Sequence, residues 1–229
     1  MVAEMKFVDW GLIDYKEAWD RQRALAAQLL AAKTAGGCGV EQYLIFCEHP
    51  NVYTLGRNGN KENFLINDAF LEKINAALYR VDRGGDVTYH GPGQIVGYPI
   101  LDLEQLHLSL KNYVWAIEEA VITTLCRYGI IGERLAGATG VWIETQTPAT
   151  RKICAIGIHA SRYVTTHGFA LNVNTDLNYF RHINPCGFAD KGVTSMEKEL
   201  RNTVDIAEVK TLLQQNLEQQ LSIFPQCCG

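Results

Sequence analysis

No apolar run in the 229-residue chain approaches the ~20 residues that a membrane-spanning helix needs, so no membrane span is expected. The first ten residues, Met1 to Trp10, place acids early and contain no apolar h-region, which predicts neither a signal peptide nor a transit peptide. C-x-x-C and H-E-x-x-H are both missing, and neither a metal nor another cofactor is expected. Positive charge is in deficit: 21 Lys and Arg stand against 25 Asp and Glu, and a formal net charge of −4 argues against a general nucleic-acid binder. Internal repeats, low-complexity tracts and linker-like stretches are also lacking, so one domain over residues 1–229 is the expected organisation.

What is present fits an ordinary globular protein: 47% hydrophobic and 20% charged residues, in a chain long enough to bury a substantial core. Seven cysteines form an odd set with no paired spacing, as reduced thiols in a cytoplasmic protein would.

Local patterns read as mixed α and β. Helix formers fill residues 14–33 and stop before Gly36-Gly37. Short strand-like runs follow at 42–49 and 52–55. Leu110, Tyr113, Val114, Ile117, Val121, Leu125 and Tyr128 recur at helical steps, with Ser109 placed to cap the start. Strands are expected at 140–144 and over 152–173, the latter as two strands broken near 163–168. Thr194-Ser-Met-Glu197 has the form of a capping box, and a last helix spans about 205–222. Strand-like segments come in groups rather than in strict alternation with helices, which favours α+β or a mixed β-sheet flanked by helices over a doubly wound parallel fold.

Four stretches carry candidate chemistry. The first, Arg83-Gly-Gly-Asp-Val-Thr-Tyr-His90-Gly-Pro-Gly-Gln94, is rich in glycine, which lets backbone approach a ligand closely. Its Gly91, Gly93 and Gly97 miss the dinucleotide spacing by one residue, and the strand-like Gln94–Ile100 follows where a helix would be needed. A pair of tight turns is the plainer alternative. In the second, Arg151 to His159, Lys152 opens an apolar run. Its ammonium is either a solvated group at a strand end or a partly buried amine usable as a base. The third is Thr166-His-Gly-Phe-Ala-Leu-Asn-Val-Asn174. In the fourth, Ile183 to Gly192, Cys186 sits between proline and glycine in an apparent loop, unlike a cysteine kept for packing.

Taken in order, RGGDVTYHGPGQ, K-x-x-A-I-G at 152–157, HGFALNVN at 167–174 and NPCG at 184–187 resemble the lipoyl(octanoyl) transferase family. The resemblance implies an α/β fold shared with the lipoate and biotin protein ligase catalytic domain. It also implies an acyltransferase that moves an octanoyl group from octanoyl-acyl carrier protein to a lysine of lipoyl domains. Those acceptors belong to 2-oxoacid dehydrogenase complexes and the glycine cleavage H protein. By the same resemblance Cys186 is the nucleophile and Lys152 its activator. The substrate-binding segments become Arg83, Gly84, Gly85, Asp86, Val87, Thr88, Tyr89 and His90, then Ala155, Ile156 and Gly157, then Gly168, Phe169 and Ala170.

The chemistry is self-consistent. Exchange of one thioester for another needs no ATP, and the change from thioester to amide drives the second half-reaction. Burying six methylenes at ~0.8 kcal/mol each is worth about 5 kcal/mol, and Gly84, Gly85 and Gly157 would leave room for the alkyl chain. Backbone N–H groups in the glycine loops, such as 91–93, are candidates for the oxyanion site. Docking of acidic partners would draw on Arg57, Lys61, Arg83, Arg151 and Arg181.

Cys154, two residues from Lys152 and therefore on the same face of an ideal strand, is the rival thiol. The rival functions are an ATP-dependent lipoate or biotin protein ligase, which needs no nucleophilic cysteine, and a non-catalytic module that holds an acylated partner.

Overall fold

The computed structural model describes residues 5–36, 40–184 and 191–222. Its strands are β1 (Met5–Leu12), β2 (Gln42–Glu48), β3 (Val52–Leu55), β4 (Ala77–Arg80), β5 (Val87–His90) and β6 (Gln94–Ile100), followed by β7 (Glu133–Leu135), β8 (Ala138–Ile143), β9 (Arg151–Ser161), β10 (Val164–Asn172) and β11 (Gly192–Val193). The helices are α1 (Tyr15–Thr34), α2 (Asp68–Lys73), α3 (Leu110–Arg127), α4 (Met196–Leu200) and α5 (Ile206–Ser222). Among the described residues no helix is long and apolar enough to cross a membrane.

The helix signals in the sequence act where expected. The Asp14 carboxylate accepts from the backbone N–H of Lys16 and Glu17 and starts α1, and Ser109 caps α3 through the N–H of Asn112. The third cap is displaced by one position. Ser195 rather than Thr194 accepts from Lys198 N, and the Thr194 hydroxyl donates to Glu199 instead.

The large sheet has the order β1-β2-β6-β10-β9-β8-β7, with β11 added alongside β9. The β1–β2 and β9–β11 pairs are parallel and the remainder antiparallel. This is the mixed sheet that the grouping of strands predicted, and Gln94–Ile100 is a strand, which removes the dinucleotide reading. The break between β9 and β10 falls earlier than expected, at Arg162 and Tyr163. Both adopt positive φ (47° and 68°) in a two-residue hairpin turn. A second sheet, β4-β3-β5, stands beside the first.

Side-chain alternation builds two cores. Leu44 and Phe46 of β2 point with Ile95 and Leu171 toward α3 and α5. Ile45 and Cys47 point with Val96 and Ala170 toward α1. The central strands are therefore covered on both faces, and the glycine-rich segment before β5 is laid over the α1 side of the sheet.

Candidate active site

A cavity of about 410 Å³ lies between β9 and β10, the segment leading into β5, and the start of α1. Its lining follows β9 from Lys152 to Ile158, a run of ~20 Å at strand rise. Glycines shape its floor. Gly168 faces Gly157 across the β10–β9 ladder, and Phe169 faces Gly97 across β10–β6. A Cβ on Gly168 would lie 2.1 Å from the Gly97 carbonyl oxygen, and one on Gly157 would lie 2.9 Å from the Gly84 oxygen. The Gly84 N–H donates to Ile158 O at 2.9 Å, and Gly85 sits at φ +84°. Gly84 and Gly157 thus bring two backbones into contact and seat the 83–85 turn on β9, rather than simply leaving room for an alkyl chain.

Arg83 is buried and pins that turn to β3. Its Nη2 donates to the Thr54 carbonyl (2.7 Å) and hydroxyl (2.9 Å), its Nε to the same hydroxyl (3.2 Å), and its Nη1 to Gly84 O. Asp86 accepts from the Asn60 N–H and from the Asn63 amide. Val87, Thr88 and His90 line the cavity from β5, and Ala155, Ile156, Phe169 and Ala170 line it from the large sheet. Tyr89 does not line it. Its ring stacks on Tyr179 at 4.7 Å in a separate core and its hydroxyl donates to Asn51. Strand alternation sends it away from its neighbours.

Lys152 lines one end of the cavity, with Nζ 4.5 Å from the centroid of the Trp142 ring. A Cβ on neighbouring Gly140 would clash with the Cys154 carbonyl oxygen at 2.5 Å and meet the Lys152 stem at an ordinary contact distance of 3.5 Å. Cys186 lies outside the described residues, and so does the side chain of Lys61. The segments that bracket Cys186 are well anchored. Asn184 N donates to Asn63 O at 2.8 Å, whereas Gly192 and Val193 pair in parallel with Arg151 and Lys152.

Cys154 does not share the face of Lys152. The β8–β9 ladder slips between Val141, opposite Cys154, and Trp142, opposite Lys152, so β9 carries a bulge at Ile153. Ile153 and Cys154 both enter the core under α3 and α5, where burial raises the Cys154 thiol well above its ordinary range. Cys47 is likewise buried and raised, with its Sγ 3.5 Å from His49, and Cys126 is exposed. Cys38, Cys227 and Cys228 lie outside the described residues.

The oxyanion and docking expectations are also revised. The Gly93 N–H is taken by the Glu48 carboxylate at 2.9 Å, and residues 91–93 are not part of the lining. Arg83 is buried, and Arg151 is committed to Glu199 (2.6 Å) and Glu144 (3.2 Å). Arg57 and Arg181 remain exposed.

Electrostatically, His90 in the cavity wall and His49 packed behind it are neutral imidazoles. Burial pushes His90 down to about 3 and His49 to about 4. At the end remote from Lys152, His167 adopts φ 58° and its Nε2 lies 2.9 Å from Asp82, with His159 at 3.8 Å from the same carboxylate. The His167 hydrogen bond holds Asp82 well below the usual carboxylate range. Burial lowers His167 itself, so the pair is a carboxylate facing a neutral imidazole.

Sequence reasoning singled out neither Tyr15 nor Trp142, and it quoted Gln94 and Asn172 only inside motifs. All four line the cavity. A usable signal existed for two of them: Gln94 and Asn172 are amides in otherwise apolar strands, where an unpartnered polar group would be costly.

The family model described as "Lipoyl protein ligase A/B catalytic domain" matches residues 14–218. A protein named octanoyltransferase from Bacteroides thetaiotaomicron is 57% identical over 215 residues, covering 94% of each chain. Lipoate-protein ligase A bound with ATP superposes with a TM-score of 0.66 over 96% of this chain and 86% of its own, at 17% identity. Biotin protein ligase from Aquifex aeolicus, in complex with biotin and ATP, gives 0.55 over 96% and 71%, at 12% identity. At these identities the two ligases share the fold.

Proposed function

The chain belongs to the lipoyl protein ligase A/B catalytic domain family, and within it we propose that the chain is an octanoyltransferase working through a Cys186 thioester. The observation that carries this reading is the β11–β9 pairing. The chain that has just passed through Cys186 lies along the strand holding Lys152, at one end of an elongated, largely apolar-walled cavity. Lys152 takes the Cys186 proton, and the thiolate attacks the carbonyl of an octanoyl thioester. The carrier thiol leaves with that proton, and the acyl-enzyme remains. A lipoyl-domain lysine amine then attacks the acyl-enzyme and passes a proton to Lys152. The amide forms as the Cys186 thiolate departs.

The donor is octanoyl-acyl carrier protein, the acceptors are lipoyl domains, and the setting is the cytoplasm. Residues 1–229 act as one catalytic domain. No step calls for ATP, which separates this reading from a ligase on the same fold. The test is intact mass spectrometry after mixing with octanoyl-acyl carrier protein without ATP. The expected result is one added octanoyl group mapped to Cys186 and absent in Cys186→Ala. An adduct that forms only with octanoate and ATP overturns the reading in favour of a ligase.

A further inference from the structure

Three buried side chains of the cavity form a hydrogen-bond chain whose polarity is set by backbone carbonyls. Asn172 Nδ2 donates to Thr194 O at 2.9 Å, so the Asn172 oxygen faces Gln94. Gln94 Nε2 donates to that oxygen at 2.8 Å and to Tyr89 O at 3.2 Å, so the Gln94 oxygen faces His90. His90 Nδ1 lies 2.8 Å from it. A carbonyl can only accept, so each amide has one possible orientation and Nδ1 must carry the proton. Nε2 then bears the lone pair; His90 lines the cavity, and the described residues show no hydrogen bond to that atom, which is not one of the buried unpartnered ones. The other end of the chain is tied to the catalytic strand, because Thr194 N donates to Lys152 O at 2.9 Å.

We propose that Gln94 and Asn172 are positioning residues that hold His90 as its Nδ1–H tautomer, so that its Nε2 accepts a hydrogen bond from an N–H donor of the substrate bound in the cavity. This rests on the octanoyltransferase reading, which brings two such donors to the cavity. One is the amide N–H nearest the sulfur of the carrier arm, and the other is the amine of the acceptor lysine. The octanoyl chain offers no donor. His90 is on this account an acceptor that orients a reacting group, and proton transfer stays with Lys152.

The test begins on the intact enzyme labelled with ¹⁵N-histidine, with the His90 signals assigned by their loss in His90→Gln. The expected wild-type pattern at neutral pH is a protonated Nδ1 and a bare Nε2. An Nε2–H tautomer or an imidazolium overturns the proposal without reference to any variant. Gln94→Leu is then expected to move His90 toward the Nε2–H tautomer and to slow one half-reaction about tenfold, the worth of one oriented hydrogen bond. A tautomer shift with both rates unchanged overturns it.

Two arms locate the donor. Slower acylation by octanoyl-N-acetylcysteamine, but not by an octanoyl thioester lacking the amide, assigns the carrier arm. Slower transfer from acyl-enzyme to a lipoyl domain assigns the lysine. If Gln94→Leu does not fold, His90→Gln, which keeps an amide at the cavity wall, is expected to retain about tenfold more activity than His90→Phe. Equal losses overturn the proposal. A wild-type enzyme that accepts no octanoyl group overturns the functional reading, while the tautomer measurement still decides the hydrogen-bond chain.

Discussion

Val193 pairs with Lys152 in a parallel bridge, and Thr194 N donates to the Lys152 carbonyl at 2.9 Å. A short strand of two residues thereby fastens the chain that follows Cys186 to the strand that carries the lysine. The pairing of these two distant segments is the structural premise of the cysteine–lysine chemistry, and it leads directly to the first prediction.

Lys152→Arg preserves a cation beside Trp142 but removes the base. Acyl-enzyme formation, followed by quenched-flow mass spectrometry, is expected to slow by at least ~100-fold, the usual worth of a positioned general base. A near-normal rate would leave Lys152 only an electrostatic part.

Cys154→Ala should leave the adduct on Cys186 intact, since the Cys154 thiol faces the core and not the cavity. The cost should appear as stability, about 1–2 kcal/mol in urea unfolding, from the small void left in the core. Loss of the octanoyl adduct in a folded Cys154→Ala enzyme would contradict the bulge geometry.

Gly157→Ala should disturb substrate binding more than the fold. Its Cβ would press on Gly84 O at 2.9 Å and on the Arg83 stem at 3.2 Å, lifting the turn that forms the cavity wall. The expected outcome is a KM for octanoyl donor raised about tenfold or more, with ~1–3 kcal/mol of destabilisation. Unchanged KM with the stability loss alone would show that the turn does not shape the binding surface.

Stability should fall in acid. His49 and His90 are held neutral with values near 4 and 3, below their unfolded value near 6.5, so unfolding takes up protons as pH drops through that window. Their contribution is complete above about pH 6.5, the unfolded value, and each histidine loses ~1.4 kcal/mol per pH unit as pH falls toward its folded value. Chemical denaturation between pH 7.5 and 4.5 should show this slope, and His90→Gln should remove one proton's share. An unaltered slope in that variant would mean that His90 is protonated in the folded enzyme.

Much of this protein was written locally. The helical spacing and caps at Asp14 and Ser109, the strand character of Gln94–Ile100 and the segments that line the cavity follow from near neighbours in the chain, because capping and amphipathic burial are short-range effects. The resemblance carried by the four motifs likewise needed only their order. What the tertiary structure decided is which groups meet. Cys154 leaves the Lys152 face because β9 bulges against Val141 and Trp142. Arg83 and Arg151 cease to be docking cations because Thr54, Glu144 and Glu199 arrive from elsewhere. His90 acquires its tautomer from carbonyls at Tyr89 and Thr194 through two amides 78 residues apart. Strand register and hydrogen-bond polarity are set by partners distant in sequence, so no local pattern contains them.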